Sequence, residues 1–413
     1  MTHRQRRFAA TTRTLFTILT TSGVLAGAAL AGAAPAGAVS DTGQIASGVS
    51  YRQFDVTAAK GTVHAHLLTV DLADPHVHVD LLDPGAAAAR SPVSTMADAA
   101  GAVAGVNGDF FNITETQHPG VEATGASVGP AIAHGRLLKA AVPTAQRFGP
   151  SLPPGTDTTD VLGVGVDRRA RLDRLALVGT VRTPDGNLAL RGLNQYALAQ
   201  NSVGAYTAAW GPASRKRATC GSDTSRAAGC STDTYEVRIR GGKVVDTADS
   251  PGSGAIAAGT TVLLGREAGA DQLRRLTQGE RVTVRRQMVA SASKVPYRFA
   301  VGGYPVLRGG EPLAGLNDTT AAVRTAAGYT SGGRRLLLLA LDGAVAYRSG
   351  LTIAEVADEM RKLGAVDAFS LDGGGSTTMV ARTAGAKTVS VLNHPTDSPE
   401  RAVANGIGVF WKP

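Results

Sequence analysis

The chain has 413 residues, with 42 lysines and arginines against 33 acids, for a net charge of +9. Aromatic residues make up only 5% of it and no basic run interleaves with them, which argues against a nucleic-acid binder. Four of the surplus charges are arginines in the first 38 residues, where no acid occurs; the remaining +5 suits a solvated surface or an anionic envelope polymer.

Arg4, Arg6, Arg7 and Arg13 precede an apolar Ala/Gly-rich segment from about Leu15 to Ala34, and Ala36-Gly37-Ala38 supplies a small-x-small cleavage site. Residues 1–38 are therefore expected to be a secretory signal peptide, and Arg6-Arg7 permits twin-arginine export. No second apolar run of about 20 residues follows, so the expectation is a secreted chain with no stable membrane span after cleavage. Alternation predicts strands over 64–72 and 76–82, a brief helix over 94–100, and a strand over 102–111 that carries Asn107-Gly108-Asp109. His64 with His66, and His76 with His78, each share a strand face; a metal grip is one reading and plain surface histidines the other. From about 150 to 295 short strands dominate, with turns at Pro184-Asp-Gly-Asn187 and Arg240-Gly-Gly-Lys243 and a helix over 264–276. Cys220 and Cys230 flank a polar loop here, and in an exported chain a local disulfide is the natural reading.

In the C-terminal third, Thr319 to Gly328 precede four leucines, Leu336 to Leu339, closed by Leu341-Asp342-Gly343. Thr352-Ile-Ala-Glu355 reads as a capping box, followed by Ile353, Val356, Ala357, Met360 and Leu363 at helical spacing until Gly364. Then an apolar alternating run ends on a single carboxylate, Asp372, followed by Gly373, Gly374 and Gly375 and by Ser376, Thr377 and Thr378. Such glycines allow φ > 0 and inward N–H groups, a concavity suited to phosphate or another oxyanion. No lysine follows, and Met379-Val380-Ala381 reads as strand, so this is not a nucleotide P-loop. A glycine-rich turn with Asp372 as its cap is the plain alternative. Asn393 to Asp397 forms a turn and Arg401 to Phe410 a last strand. The sum is an α+β chain of strand-rich mixed sheets with a few helices, plus a β-rich inserted or N-terminal lobe.

These pieces, in this order, resemble the phosphodiester glycosidase family. The resemblance rests on Val106-Asn-Gly-Asp-Phe-Phe111, Arg324-Thr-Ala-Ala-Gly328, Leu371-Asp-Gly-Gly-Gly-Ser376, and the closing Pro395-Thr-Asp397 with Arg401 downstream. It implies a domain whose N-terminal part spans 39–149 and whose core spans 296–413, with 150–295 as a β-rich variable lobe. It also implies a hydrolase that splits a glycosyl-1-phosphate diester into free sugar and phosphate monoester, here on envelope or extracellular phosphoglycans, with no cofactor required.

A phosphate monoester is a good leaving group, so such an enzyme depends on a cation and N–H groups for the phosphate and a carboxylate at the anomeric carbon. Arg324 suits the phosphate, since guanidinium pairs with it bidentately. Gly373, Gly374, Gly375, Ser376 and Thr377 complete the cradle, with Thr325 beside Arg324. Asp372 and Asp109 are the candidate carboxylates, and Glu122 is a third acid in a nearby glycine-flanked loop. Asn107 is placed to hydrogen-bond a sugar, with Phe110 and Phe111 as its apolar wall or as plain core. His394, with Asp397 and Arg401, is a candidate phosphate donor or acid–base group. A Ca²⁺ held by Asp109, Asp372 or Asp342 and carbonyls is compatible with these acids. Two other readings stand beside this one: a metal-assisted phosphodiesterase attacking phosphorus, and a non-catalytic glycan-binding envelope protein.

Overall fold

The alternating segments become paired strands over most of the chain, in a computed structural model that describes residues 42–343 and 350–413. The expected signal peptide, residues 1–38, lies outside the described residues. Among the described residues the strands form sheets of eight, eleven and five, and three α-helices accompany them, giving a strand-rich α+β fold.

The eight-stranded sheet carries the site. At its centre Gly61–Asp71, Arg335–Leu341, Thr325–Tyr329 and Asp367–Ser370 lie side by side in that order, all antiparallel. The four consecutive leucines make sense there, because both faces of their strand are covered. Leu337, Leu339 and Leu341 enter one core cluster, while Leu336, Leu338 and Ala340 enter another on the opposite face. The helix Ile353–Lys362 covers the first face with Ile353, Val356, Ala357 and Met360. Its capping box forms as the sequence predicts: Thr352 accepts from the Glu355 N–H, and the Glu355 carboxylate accepts from the Thr352 N–H.

The second face packs on the five-stranded sheet, where Ala104–Asn107 is flanked by Met379–Ala381 and Gly406–Trp411. This stacking brings the end of Ala104–Asn107 to the loop after Ser370, and the Asp372 N–H donates to the Gly108 carbonyl at 2.9 Å.

The eleven-stranded sheet takes most of the 150–295 stretch together with Ala131–Ala133, Arg136–Lys139 and Tyr297–Gly302. Its strands pair antiparallel except Gly186–Leu193 with Val203–Tyr206. The Arg240–Lys243 turn is a tight hairpin with Gly241 and Gly242 both at positive φ, 57° and 71°. Cys220 and Cys230 are joined by a disulfide. No described helix is long and apolar enough to cross a membrane.

Three elements depart from the sequence reading, and the first is the strand expected over 102–111, which is only Ala104–Asn107. The expected helix over 264–276 is shorter, Ala268–Arg274, because Thr260–Arg266 is a strand paired on both sides. The turn is tight: a Cβ on Gly269 would meet the backbone of Ser202. The last strand begins at Gly406, not Arg401, because Arg401 and Asn405 are spent on side-chain bonds to Asp397 and to the Asp109 backbone.

Candidate active site

Asn107 organises the site from the middle. Its side chain is fully buried; Nδ2 donates to the Asp372 carbonyl at 2.7 Å, and Oδ1 accepts from the Thr325 hydroxyl at 2.7 Å and the Thr378 N–H at 3.1 Å. One amide thus ties three separate segments together with its donor and acceptor both satisfied. Thr325 continues to Thr377 at 3.2 Å. Asn107, Thr325 and Thr377 are therefore buried struts behind the site, a different placement from the ligand contacts the sequence reading expects of them.

The glycines after Asp372 serve three different purposes. Only Gly374 is left-handed, at φ 59°. Gly373 is extended, and a Cβ there would lie 2.6 Å from the Val323 carbonyl, which accepts from the Gly374 N–H at 2.8 Å. At Gly375 a Cβ would run into the Arg401 guanidinium and the Asp397 carboxylate. Close approach rather than positive φ explains two of the three. Since those last obstacles are side-chain ends, Gly375→Ala is expected to displace the Arg401–Asp397 pair without unfolding the chain. Turnover efficiency should fall roughly 10–100-fold for such a misplacement, with little change in melting temperature; steady-state kinetics beside a thermal melt checks both.

Asp372 is only partly open to solvent, its peptide held by Asn107 and Gly108. Burial raises its carboxyl to about 6, against the opposing Ser376 hydroxyl, Gly373 N–H and Arg401, and the Asp109 charge adds to the rise. Arg401 bonds Asp397 at 2.7 Å and reaches the Ser376 hydroxyl at 3.3 Å, so the closing motif steadies the hydroxyl that faces Asp372.

Asp109 is buried as well. Its Oδ2 accepts from the Gly129 N–H at 2.6 Å, while Oδ1 has no hydrogen-bond partner among the described residues. Burial pushes this carboxyl up, and the Lys139 ammonium opposes it. Lys139 is itself pushed down by burial, and its Nζ donates to the Ala140 carbonyl at 2.8 Å. Two carboxylates that feel each other in a poorly solvated place are a common sign of a working site.

Arg324 and Tyr304 line a cleft of about 360 Å³ with the Pro150–Pro153 loop, Asn317, Thr320 and Ile353. Arg324 is fixed by two bonds, Nε to the Leu351 carbonyl at 3.0 Å and one terminal nitrogen to the Thr320 carbonyl at 2.8 Å. Tyr304 is buried, bonded to the Ser370 hydroxyl, and within electrostatic reach of Arg324, Arg147 and Asp372. Its ring stacks on Phe110 at 5.8 Å, and the Arg147 guanidinium lies 5.4 Å from the same Phe110 ring. Sequence reading does not single out Tyr304 as a site group and misses Arg147 and Lys139; the last two are lone residues with no motif around them.

Phe110 stands beside the cleft residues, whereas Phe111 packs into a separate core with Val93, Met96 and Val403. Glu122 lines a different cleft with Pro212 and Lys216. His394 turns to another partner, Asp342, at 3.0 Å, with its ring largely exposed. The histidine pairs separate: His76 and His78 contact Lys412 and Phe410, but His64 and His66 come together with Asp342. A larger cleft of about 510 Å³ lies among His78, His134, Arg168, Arg298 and Lys412, where the motif residues are absent.

Comparison with known proteins gives the same direction. Residues 233–410 match the family model described as phosphodiester glycosidase. No curated protein matches the chain. Among solved structures, a hypothetical protein from Synechocystis is similar at TM-score 0.67 and 20% identity, over 89% of this chain and 62% of that one. This chain thus spans less than two thirds of that relative. A Burkholderia pseudomallei protein described as a putative exported protein is similar at TM-score 0.64 and 24% identity, over 84% and 74%. The zebrafish N-acetylglucosamine-1-phosphodiester alpha-N-acetylglucosaminidase catalytic domain, auto-inhibited by its pro-peptide, aligns at TM-score 0.42 and 16% identity, over 88% and 83%.

Proposed function

We propose, from the match of residues 233–410 to the phosphodiester glycosidase family, that this chain hydrolyses glycosyl-1-phosphate diesters to free sugar and phosphate monoester. The observation that carries the reading is that Tyr304, which lines the cleft with Arg324, lies within electrostatic reach of both that guanidinium and Asp372, and Asp372 in turn feels the second raised carboxylate, Asp109. In the reaction water adds to the anomeric carbon, the bond from that carbon to the bridging oxygen breaks, the phosphate monoester leaves, and the proton lost by the water ends on the departing phosphate or in solvent. The leaving group needs little protonation, so the protein's task is to hold the phosphate and to stabilise the cationic sugar carbon. Arg324, with its remaining donors, takes the phosphate. Asp372 supplies negative charge at the anomeric carbon, and Tyr304 with the Pro150–Pro153 loop limits the water around it.

Secretion is part of the same proposal. The leader pattern, the disulfide and the exported relative support it, and they favour envelope or extracellular phosphoglycans as substrates. Sugar release from a panel of sugar-1-phosphate diesters in oxygen-18 water tests the reading. Label in the sugar is expected; label in the phosphate would mean attack at phosphorus and would overturn it.

A further inference from the structure

A second cluster lies on the flank of this site, and the proposed reaction does not use it. His64 and His66 come from the strand Gly61–Asp71, and Asp342 ends the neighbouring strand Arg335–Leu341. One ligand-type atom from each lies within 4.8 Å of the others. We propose that His64, His66 and Asp342 form a binding site for a divalent ion of the zinc class.

The outer bonds follow the pattern of a metal centre. Metal-bound imidazoles hold one ring nitrogen against a carboxylate or another polar group and present the other nitrogen to the ion. His64 Nδ1 lies 2.7 Å from the Asp55 carboxylate, and His66 Nδ1 lies 2.7 Å from the Tyr51 hydroxyl. His66 presents Nε2 to Asp342 Oδ1 at 2.9 Å. Two ligands on a tetrahedral zinc at about 2.0–2.1 Å stand about 3.3 Å apart, so an ion needs this pair to open by only a few tenths of an ångström. His394 aligns the carboxylate: its N–H donates to the same Oδ1 at 2.6 Å, and its Nδ1 lies 3.0 Å from Oδ2.

Ligand chemistry selects the ion. Two imidazoles and one carboxylate suit zinc-class metals, whereas Ca²⁺ prefers oxygen donors alone. His66 and Asp342 are buried, while the His64 side chain keeps 22% of its surface exposed, which gives an ion a way in. Three protein ligands are the number found where a fourth position takes water or a ligand. The strand Thr325–Tyr329 lies between the strand that ends at Asp342 and the one that leads to Asp372. The Leu341 N–H donates to the Arg324 carbonyl at 3.1 Å, so an ion here lies one strand spacing, about 5 Å, from the Arg324 backbone and two, about 10 Å, from the strand that leads to Asp372.

Tag-free chain, stripped with chelator and titrated with Zn²⁺ in a calorimeter, should take up one equivalent. Co²⁺ in its place should give the visible bands of a tetrahedral site. His66→Ala and His64→Ala should each weaken binding more than 100-fold, and Asp55→Asn roughly 10–100-fold. His76→Ala, on the other histidine pair, should change nothing. His64→Ala keeps the test decisive if the buried His66→Ala fails to fold. Absence of stoichiometric binding to folded protein, or binding that survives His64→Ala, would overturn the site. Because the readout is metal uptake, failure of the glycosidase reading leaves this result unaffected.

Discussion

Asp372→Asn is expected to abolish sugar release, by 10³-fold or more, and to make the protein more stable at the same time. The first effect follows if the charge at the anomeric carbon is the main stabiliser of the transition state; electrostatic groups of this kind are commonly worth 10²–10³ in rate, and a carboxylate at the reacting carbon more. The second follows from the carboxyl lying at about 6, raised by burial from the ordinary 3.8. A group raised on folding favours the native state while protonated, so its contribution is fully present below the unfolded value and is lost as pH rises through about 6. At pH 8 the ionised carboxylate therefore costs about 2–3 kcal/mol, at 1.36 kcal/mol per pKa unit. Asparagine keeps the shape and an acceptor for the Gly373 N–H but carries no charge to desolvate. Denaturant unfolding from pH 4 to pH 8 should show the variant gaining on the parent as pH rises, with no gain at pH 4. Turnover efficiency of the parent should fall tenfold per unit below about pH 6. A variant that loses stability at pH 8, or that keeps turnover, would remove Asp372 from the centre. A residue whose replacement stabilises the fold while ending activity is one the fold tolerates for the reaction.

Sequence legibility follows from how local each signal is. Asp372 stands out because one carboxylate, three glycines and three hydroxyls are consecutive, and Arg324 because its motif is short and contiguous. The capping box at Thr352 is legible for the same reason, since its partners are three residues apart. The bonding role of Asn107 is not legible in the sequence. Its bonds to Asp372, Thr325 and Thr378 reach across more than 200 positions, and only the stacking of two sheets creates them. Arg147 and Tyr304 both reach the Phe110 ring by the same kind of long-range packing. The helix expected over 264–276 starts late, at Ala268, because Leu264 fits either period and pairing on both sides of Thr260–Arg266 decides for the strand there. His64 and His66 read as a pair from their spacing, but Asp342, over 270 residues away, is what turns the pair into a cluster.

Arg324→Ala is the second large effect, and its form separates phosphate binding from transition-state stabilisation. A phosphodiester carries one negative charge; the departing monoester carries two once the sugar–oxygen bond breaks. A guanidinium on the phosphate therefore gains attraction as the bond lengthens, and its removal must lower kcat as well as raise KM. A combined loss of about 10²–10³ in kcat/KM is expected. Arg324→Lys keeps the charge but cannot bond both the Leu351 and Thr320 carbonyls and still present a planar fork to the phosphate, so it should recover only part. The variant should remain folded, at a cost of about 1 kcal/mol for two carbonyls losing their donor. A series of diesters whose phosphate leaving groups span a range of acidity checks the assignment. The loss in kcat should shrink as the leaving group becomes more acidic, because less charge then needs the arginine. A loss confined to KM, equal across the series, would make Arg324 a ground-state anchor and move transition-state stabilisation to the glycine cradle or to Arg147.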